Sequence, residues 1–358
     1  MTIFNHFRKL DWIIIICALL LVGFGLLSIY SQGDFFIFKK QIIFLVASFI
    51  LMFLISFFDW RGFRENPYFI LVLYFFCLIL LVGLYFFAPE IRGVKSWYKI
   101  GPFSFDPISV TTLVLIILLA KFFSMRNIEM YRLSHILLSG LYILLPIGLV
   151  FFQPDLGPVF ILVALWLGIL VISGIKMKNF LILFICGLLI LILSWSFLLQ
   201  EYQKERVMSF LSPQIEPLGA NWSQNQAKIA IGSGGIFGKG IGKGSQTQYG
   251  FLPEPHTDFI FAAIAEEFGL IGIIVLLSLF GVLIWRIMKI ALSAESNFPR
   301  LFASGLVIVL VSQIFIHIGM NLGILPVIGI ALPFISYGGS NLIAIFMGLG
   351  VLQSIKTH

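Results

Sequence analysis

The chain has 358 residues, of which 60% are hydrophobic and only 11% are charged, and its net charge is +7. Soluble domains carry about 25% charged residues, so this composition excludes folding in water and indicates a lipid environment. The basic residues are scattered through short loops, without a basic patch or zinc-ligand spacing. This distribution argues against nucleic acid as a partner and favours an integral membrane protein surrounded by membrane lipid.

Ten apolar runs of spanning length, roughly 17–25 residues, predict ten transmembrane helices. Helices are expected because lipid offers backbone N–H and C=O groups no other partner. The first run follows Arg8 and Lys9 as a signal peptide would, but it continues to about Tyr30 without a cleavage site and is predicted to be a retained span. The predicted fold is therefore an all-α polytopic membrane protein that forms a single domain over residues 1–358. The runs lie at about 11–31, 39–58, 67–88, 106–123, 135–152, 157–174, 180–199, 258–286, 301–322 and 336–355.

The distribution of charge predicts the orientation of the helices. With the N-terminus inside, the inner segments hold 13 basic and 5 acidic residues, and the outer segments hold 10 basic and 11 acidic residues. Lys and Arg in short loops collect on the cytoplasmic side of a membrane. We therefore expect both termini in the cytoplasm and the long connection 200–257 on the extracytoplasmic face.

Carboxylates near a membrane are costly, and five of them here lie at or below the outer ends of predicted spans. They are Asp106, Asp155, Asp258, Glu266 and Glu267. Asp258 precedes an apolar helix, and both it and Thr257 suit a plain helix cap. Alternatively, Glu254 and His256 place two further titratable groups beside Asp258, and a carboxylate partly shielded from water can act as a general base. Glu266 and Glu267 lie about 80° and 180° around the helix from Asp258, so we expect them to have different roles.

A Gly-rich run, GSGGIFGKGIGKG, extends from Gly232 to Gly244 and contains seven glycines in 13 residues. Glycines let backbone N–H groups approach a phosphate closely, and Lys239 and Lys243 add positive charge. The run is not a P-loop, because neither Gly-Lys pair is followed by Ser or Thr. A phosphate-binding loop and a flexible hinge are both compatible with this pattern.

Other polar residues at the predicted outer face allow two interpretations each. Asp155, in FQPDLGP, is either a turn former or a functional carboxylate. Trp97, close to Lys95, is either an interfacial anchor or a platform for a sugar ring. His317 and Asn321 lie one turn apart near the end of a predicted span, which favours hydrogen bonds between helices.

Three segments together resemble the SEDS family (shape, elongation, division and sporulation). They are RVMSFLSP at 206–213, QAKIAIGSGGIFGKGIGKGSQTQYGFLPEPHTDFIFAAIAEEFGLIG at 226–272, and LPVIGIALPFISYGGSNL at 325–342. Within the family, GSQTQYGFLPE is closer to the elongation, RodA-type branch than to the division branch. The resemblance implies a peptidoglycan glycosyltransferase that polymerises lipid II on the outer face of the bacterial cytoplasmic membrane during elongation and rod-shape maintenance. It also implies a class B penicillin-binding protein and other elongation-complex proteins as partners.

The same resemblance implies roles for particular residues. The family's essential carboxylate matches Asp258, which would deprotonate or orient the attacking sugar hydroxyl. No cofactor is specified, and a divalent cation is left open. A lipid II flippase or transporter and a non-catalytic scaffold for a penicillin-binding protein are the alternative functions. We expect substrate-binding residues at Lys95, Trp97, Asp155, Arg206, Lys228, Ser233, Lys239, Lys243, Glu254, His256 and Thr257.

One departure from the family pattern lies at the start of the fourth predicted span. Members usually have Glu and, three residues later, Lys, where this chain has Ser109 and Thr112. Losing both charges together avoids leaving one unpaired charge at membrane depth. We expect Ser109 and Thr112 to form a neutral polar contact instead.

Overall fold

The structure is a computed structural model, and it describes residues 3–62, 67–90, 94–125, 133–197, 204, 208, 210 and 220–357. Nine of the described helices are long and apolar enough to cross a membrane. A tenth apolar helix, Leu156–Ile172, has 17 residues and is therefore about 26 Å long, slightly short of the hydrocarbon core. The predicted all-α membrane architecture is confirmed.

The helices follow the predicted spans closely. Three further helices, two of them short, lie outside the predicted spans. In chain order, the helices are α1 (Ile3–Lys9), α2 (Trp12–Ser31), α3 (Phe35–Phe57), α4 (Pro67–Phe87), α5 (Pro107–Ser124), α6 (Leu133–Phe152), α7 (Leu156–Ile172), α8 (Met177–Phe197), α9 (Ala220–Gly234), α10 (Ser245–Gln248), α11 (Ile260–Ser293), α12 (Asn297–Leu322) and α13 (Gly339–Thr357). A small antiparallel hairpin, β1 (Tyr98–Ile100) and β2 (Phe103–Phe105), precedes α5. Its turn contains Gly101 at φ 60°, a conformation that glycine adopts without strain.

Helices α11 and α12 form the centre of the molecule. Helix α11 packs against α2, α9 and α12, while α12 also packs against α5 and α7, and α13 packs against α3 and α5. Helix α5 has 72% of its residues buried, whereas only 6% of the apolar stretch of α8 is buried. An apolar face such as that of α8 needs no protein partner, because lipid chains solvate it equally well.

The long connection 200–257 contains a helix that its polar composition did not predict. Helix α9 has the sequence ANWSQNQAKIAIGSG and packs against α11 and α12. Ala227 and Ala230 are fully buried, and such small side chains allow close approach between helices. Gln224 donates hydrogen bonds to the carbonyls of Met320 (2.9 Å) and Leu325 (2.8 Å), which fixes α9 at the end of α12.

The Gly-rich run is built into a break in α11, so the interpretation of this run as a flexible hinge is wrong. Gly269, at φ 64° and ψ −164°, interrupts α11 and removes hydrogen bonds that the helix would otherwise make across this point. Segment 235–240 provides the missing donors and acceptors in four hydrogen bonds. They are Lys239 N to Glu266 O (2.9 Å), Gly240 N to Glu267 O (3.0 Å), Leu270 N to Gly235 O (2.9 Å) and Ile271 N to Ile236 O (3.1 Å).

Close packing at this break requires glycine. A Cβ atom on Gly234 would overlap the carbonyl of Ala265, and one on Gly238 would overlap the carbonyl of Glu267. A Cβ atom on Gly232, in the same helix α9, would meet nothing within 4 Å. Backbone-to-backbone contact, rather than flexibility, therefore explains the glycines that face α11.

Gly234→Ala is expected to destabilise the protein by about 1–3 kcal/mol, because the added methyl group must displace the backbone of α11. Gly232→Ala is the matched control. It should leave stability unchanged or raise it by up to about 1 kcal/mol, because alanine favours a helix more than glycine does. Thermal unfolding of the purified protein in detergent measures both variants. Equal effects of the two substitutions would contradict the packing described for α9 and α11.

Candidate functional site

Hydrogen bonds to its own carbonyl groups fix the segment that leads into α11. Each of four successive carbonyls, from Pro255 to Asp258, accepts a hydrogen bond from another part of the chain. The donors are Gln32 Nε2 to Pro255 O (3.4 Å), Tyr337 N to His256 O (2.8 Å), Ser336 Oγ to Thr257 O (2.8 Å) and Asn321 Nδ2 to Asp258 O (3.0 Å). Gln32 directly follows α2, Asn321 belongs to α12, and the other two donors lie between α12 and α13. Three separate regions therefore fix the backbone of this segment, which we call the ramp (residues 253–258).

Asp258 lies half-buried at the entrance to α11, and the structure argues against its interpretation as a plain helix cap. The helix begins at Ile260, and Phe259 occupies the N-cap position without a side-chain capping bond. Asn321 satisfies one free N–H group of the first turn, because its Oδ1 accepts from Ala262 N (3.2 Å). The same side chain thus holds both the carbonyl of Asp258 and the start of the helix that follows.

Glu254 and His256 lie together on the ramp, as their spacing predicted. His256 Nε2 is 3.6 Å from Glu254 Oε2, and the imidazole makes an edge contact with the ring of Tyr337. Glu254 has φ 43°, an uncommon conformation for a residue with a side chain. Burial, with a smaller contribution from the charge of Asp34, raises the pKa of Tyr337, so its phenol stays neutral. The ramp therefore presents two carboxylates and an imidazole within five residues.

Glu266 and Glu267 have different roles, as their positions around the helix predicted. Glu266 is fully buried, and its carboxylate holds the first turn of α10 and a lysine of the Gly-rich run. The donors to Glu266 are Lys239 Nζ (2.9 Å), Gln246 N (2.9 Å), Thr247 N (3.1 Å), Thr247 Oγ1 (2.9 Å), Ser245 Oγ (3.3 Å) and Ser233 Oγ (3.5 Å). Glu267 accepts from Gly242 N (3.1 Å). Lys239 and Ser233, both predicted to bind substrate, are thus partners of a buried carboxylate.

The remaining predicted cations of this region occupy different surroundings. Lys243 is exposed in the Gly-rich run. Lys228 is exposed on α9 and its side chain covers Gly323, which ends α12 at φ 77°. A lysine at this position also favours the negative end of the α12 dipole. Arg206 lies outside the described residues.

Asp155 joins the hairpin segment to the start of α7. It occupies the N-cap position of α7 without a capping bond, and its Oδ2 accepts from Ser96 Oγ (2.8 Å). Ser96 is buried, while its neighbours Lys95 and Trp97 are half-buried. The structure therefore connects Asp155 to the segment that carries Lys95 and Trp97 through Ser96.

Asp106 caps α5, and the predicted contact between Ser109 and Thr112 is wrong. Ser109 Oγ donates to Asp106 Oδ2 (2.7 Å), and Thr112 Oγ1 donates to the carbonyl of Ile108 (2.8 Å). Helical Ser and Thr hydroxyls commonly bond such local acceptors, so neither needs the other. Burial, with a smaller contribution from the charge of Asp155, raises the pKa of Asp106 to about 7 against the opposing hydrogen bonds from Ser109 and Ile108.

Sequence patterns did not single out the residues that hold the ramp. Gln32, Ser336 and Tyr337 carried no individual signal, although the last two lie in the quoted segment LPVIGIALPFISYGGSNL. The predicted hydrogen bonding between helices is confirmed for Asn321, which accepts from Ala262 N of α11, but not for His317, whose partner lies in the segment between α12 and α13. His317 Nδ1 bonds the carbonyl of Ile330 (2.7 Å), and Asn321 also donates to the carbonyl of His317 (2.8 Å).

The model of the cell cycle protein family that includes FtsW, RodA and SpoVE matches residues 8–358. The chain therefore belongs to this family, the SEDS family. It is 41% identical over 286 residues to peptidoglycan glycosyltransferase MrdB of Escherichia coli K12, a match that covers 80% of this chain and 77% of MrdB. It is 35% identical over 367 residues to stage V sporulation protein E of Bacillus subtilis, covering 97% of each chain.

Solved structures agree with this assignment. A chain from a peptidoglycan synthase complex that coordinates polymerization and crosslinking matches with a TM-score of 0.82 and 32% identity, over 97% of each chain. The rod shape determining protein RodA of Thermus thermophilus matches with a TM-score of 0.73 and 30% identity, over 97% of this chain and 96% of that chain. The predicted family and its helical membrane fold are thus confirmed.

Asn321→Ala is expected to destabilise the protein by about 1–3 kcal/mol, because it leaves the carbonyl of Asp258 and the N–H group of Ala262 without their partner. Thermal unfolding in detergent measures this loss. Asn297→Ala, at the other end of α12, is the control and should change stability little. Equally small losses of stability in the two asparagine variants would contradict the stabilising role of the Asn321 hydrogen bonds.

Asp106→Asn should make stability less dependent on pH. Because folding raises the pKa of Asp106 from 3.8 to about 7, the carboxyl contributes stability at low pH that is lost as the pH rises through this interval. Asparagine stays neutral and can still cap α5. Unfolding temperatures measured between about pH 5 and about pH 7.5 should fall more steeply for the wild type than for the variant. If the unfolding temperatures of the wild type and the variant fall equally with pH, the raised pKa of Asp106 is contradicted.

Proposed function

We propose that this protein is a peptidoglycan glycosyltransferase of the elongation type, which polymerises lipid II on the outer face of the bacterial cytoplasmic membrane. The observation that carries this proposal is the position of Asp258. Its backbone is held by Asn321 and it immediately precedes the capping position of α11, while its side chain remains half-exposed. The naming of the curated relative MrdB as a peptidoglycan glycosyltransferase supports the same reaction.

In the proposed reaction, Asp258 acts as the general base. Its carboxylate accepts the proton of the acceptor's sugar 4-hydroxyl, and the hydroxyl oxygen forms a bond to the anomeric carbon of the donor. The bond between that carbon and undecaprenyl pyrophosphate breaks, and the pyrophosphate leaves with the electron pair. A single displacement inverts the anomeric carbon and needs no carboxylate nucleophile. Glu254, His256 and Thr257, which share the ramp with Asp258, would orient the sugar hydroxyls.

The leaving pyrophosphate requires positive charge in the transition state. Lys243 and Lys228 are exposed, and Lys95 is half-buried, so their ammonium groups are suited to this role. Lys239 is paired with Glu266 at 2.9 Å, and we assign it the task of positioning the Gly-rich run instead. Trp97, next to Ser96, and Asp155, which accepts a hydrogen bond from Ser96, would contact the sugar or peptide portions of lipid II.

The orientation and partners of the protein belong to the same proposal. The excess of Lys and Arg in the segments on the side away from the ramp supports a cytoplasmic position for both termini and an outer position for the ramp. A class B penicillin-binding protein would cross-link the product, consistent with the matching chain from a synthase complex that coordinates polymerization and crosslinking. Other elongation-complex proteins would recruit the pair to the side wall.

Asp258→Asn should reduce glycan polymerisation by about 10²–10⁴-fold, because the variant retains the shape of the side chain but cannot accept the proton. The assay uses the purified full-length chain, fluorescent lipid II, and parallel reactions with and without a divalent cation and the partner. Glu90→Gln, which neutralises an exposed carboxylate three residues after the end of α4, is the control and should retain the wild-type glycan ladder.

The alternative functions give different results in the same experiment. A scaffold would leave polymerisation by the complex intact in Asp258→Asn. A flippase would move lipid II across vesicles containing the purified chain, without forming polymer. Either result would overturn the proposed function.

A further inference from the structure

A pocket of about 550 Å³ lies at the opposite end of α11 from Asp258. Five elements contribute to its walls: the residue before α2, the segment after α3, the end of α11, the start of α12 and the end of α13. Helix α11 has 34 residues and would be about 50 Å long if straight, so this pocket is separate from the ramp. Nothing in the proposed glycosyl transfer uses it.

Positive charge predominates in this pocket. Its lining contains four basic and two acidic residues. The basic residues are Arg61, Arg286, Lys289 and Lys356, and the acidic residues are Asp11 and Glu295. Glu295 is exposed, so its charge is screened by water, whereas Asp11 is buried. An anion is the ligand that this balance of charge favours.

Asp11 fixes two of the cations in the pocket wall. Its Oδ2 accepts from Arg286 Nε (2.7 Å) and from Lys356 Nζ (2.8 Å), and Gln353 exchanges hydrogen bonds with its backbone (2.7 and 3.1 Å). One carboxylate therefore serves two cations, which leaves net positive charge. Arg286 uses only Nε here, and among the described residues its two Nη groups have no acceptor. Its side chain is 21% exposed, so these donors can reach a ligand.

Two buried polar atoms of the lining also lack partners within the described part of the chain. They are Asp11 Oδ1, an acceptor, and the indole Nε1–H of Trp60, a donor. Trp60 is only 7% exposed and stacks on Phe298. Buried polar groups are rarely left unsatisfied, so a polar occupant that both donates and accepts hydrogen bonds is expected at this wall.

The surroundings of the pocket favour a lipid over a soluble anion. Trp285 and Leu292, on the same end of α11, are 58% and 74% exposed, and Lys289 Nζ lies 5.6 Å from the centre of the Trp285 ring. Exposed tryptophan beside lysine at the end of a span is typical of the membrane interface. Basic pockets between transmembrane helices are suited to anionic headgroups. A lipid could therefore insert its headgroup while its chains remain in the bilayer.

We propose that this pocket binds the headgroup of an anionic phospholipid from the adjacent leaflet. The phosphate accepts hydrogen bonds from Arg286, Lys289 and Arg61, and a headgroup hydroxyl donates to Asp11 Oδ1. Arg61 forms an exposed ion pair with Asp59 at 3.8 Å, a kind of pair that contributes little to stability, and it adds positive charge to the pocket lining.

Native mass spectrometry of the full-length protein, titrated with phosphatidylglycerol or phosphatidylcholine, tests the proposal. Wild type should form a one-to-one complex with phosphatidylglycerol at least tenfold more readily than with phosphatidylcholine. Arg61→Gln with Lys289→Gln should weaken phosphatidylglycerol binding by about 10–30-fold, since each cation near a membrane surface contributes about 1 kcal/mol. Both substitutions avoid the residues that bond Asp11, so the fold should be retained. Arg61→Lys with Lys289→Arg keeps the charge and should restore binding.

The matched control is Lys176→Gln with Lys178→Gln. These lysines are exposed and lie around the start of α8, on the same side of the protein as the pocket. Their substitution removes the same amount of charge as the Arg61 and Lys289 substitutions. An equal loss of binding in this control would show nonspecific attraction and overturn the proposal. So would equal affinity for phosphatidylcholine. Displacement of the lipid by an equal concentration of inorganic phosphate would show that the pocket takes a free anion instead.

Discussion

The structure depends on a constraint of the backbone: a carbonyl group near a membrane must have a hydrogen-bond donor. The ramp enters α11 without helical geometry. Thr257 N and Phe259 N donate to the carbonyl of Glu254, but the next four carbonyls need donors from elsewhere in the chain. Donors from α2, α12 and the segment before α13 satisfy four of them in succession. Because these bonds act on the main chain, they fix the backbone of Asp258 without using its carboxylate.

The same constraint explains the Gly-rich run. When Gly269 interrupts α11, carbonyl and N–H groups of the helix lose their internal partners, and segment 235–240 supplies new ones. The run can approach so closely only because Gly234 and Gly238 have no side chains. Glu266 then binds the first turn of α10 and Lys239, so the extramembrane segment is attached to the central helix at both backbone and side-chain level. The break and the ramp together make one end of α11 a rigid support for the site.

Sequence reasoning predicted the parts of this structure that depend on composition, because the spans follow from long apolar runs. The proposal for Asp258 rests on the family motif together with its position before an apolar helix. Helix α9 was missed because its polar sequence has no spanning run, and its stability comes from the burial of Ala227 and Ala230 against other helices. The engagement of Lys239 was missed because its partner lies 27 residues away and is brought close only by the break in α11. Likewise, Ser109 donates a hydrogen bond to Asp106 and not to the expected partner Thr112.

The proposed catalysis requires the Asp258 carboxylate at one fixed position, and Asp258→Glu tests this requirement most directly. The substitution keeps the charge and the basicity but extends the carboxylate by one methylene group. Polymerisation of lipid II by the purified chain should fall by about 10²-fold, because a displacement of about 1 Å is enough to disrupt a reacting geometry. If Asp258→Glu polymerises lipid II at the wild-type rate, the position of this carboxylate does not limit the reaction. That result would contradict the role proposed for Asp258.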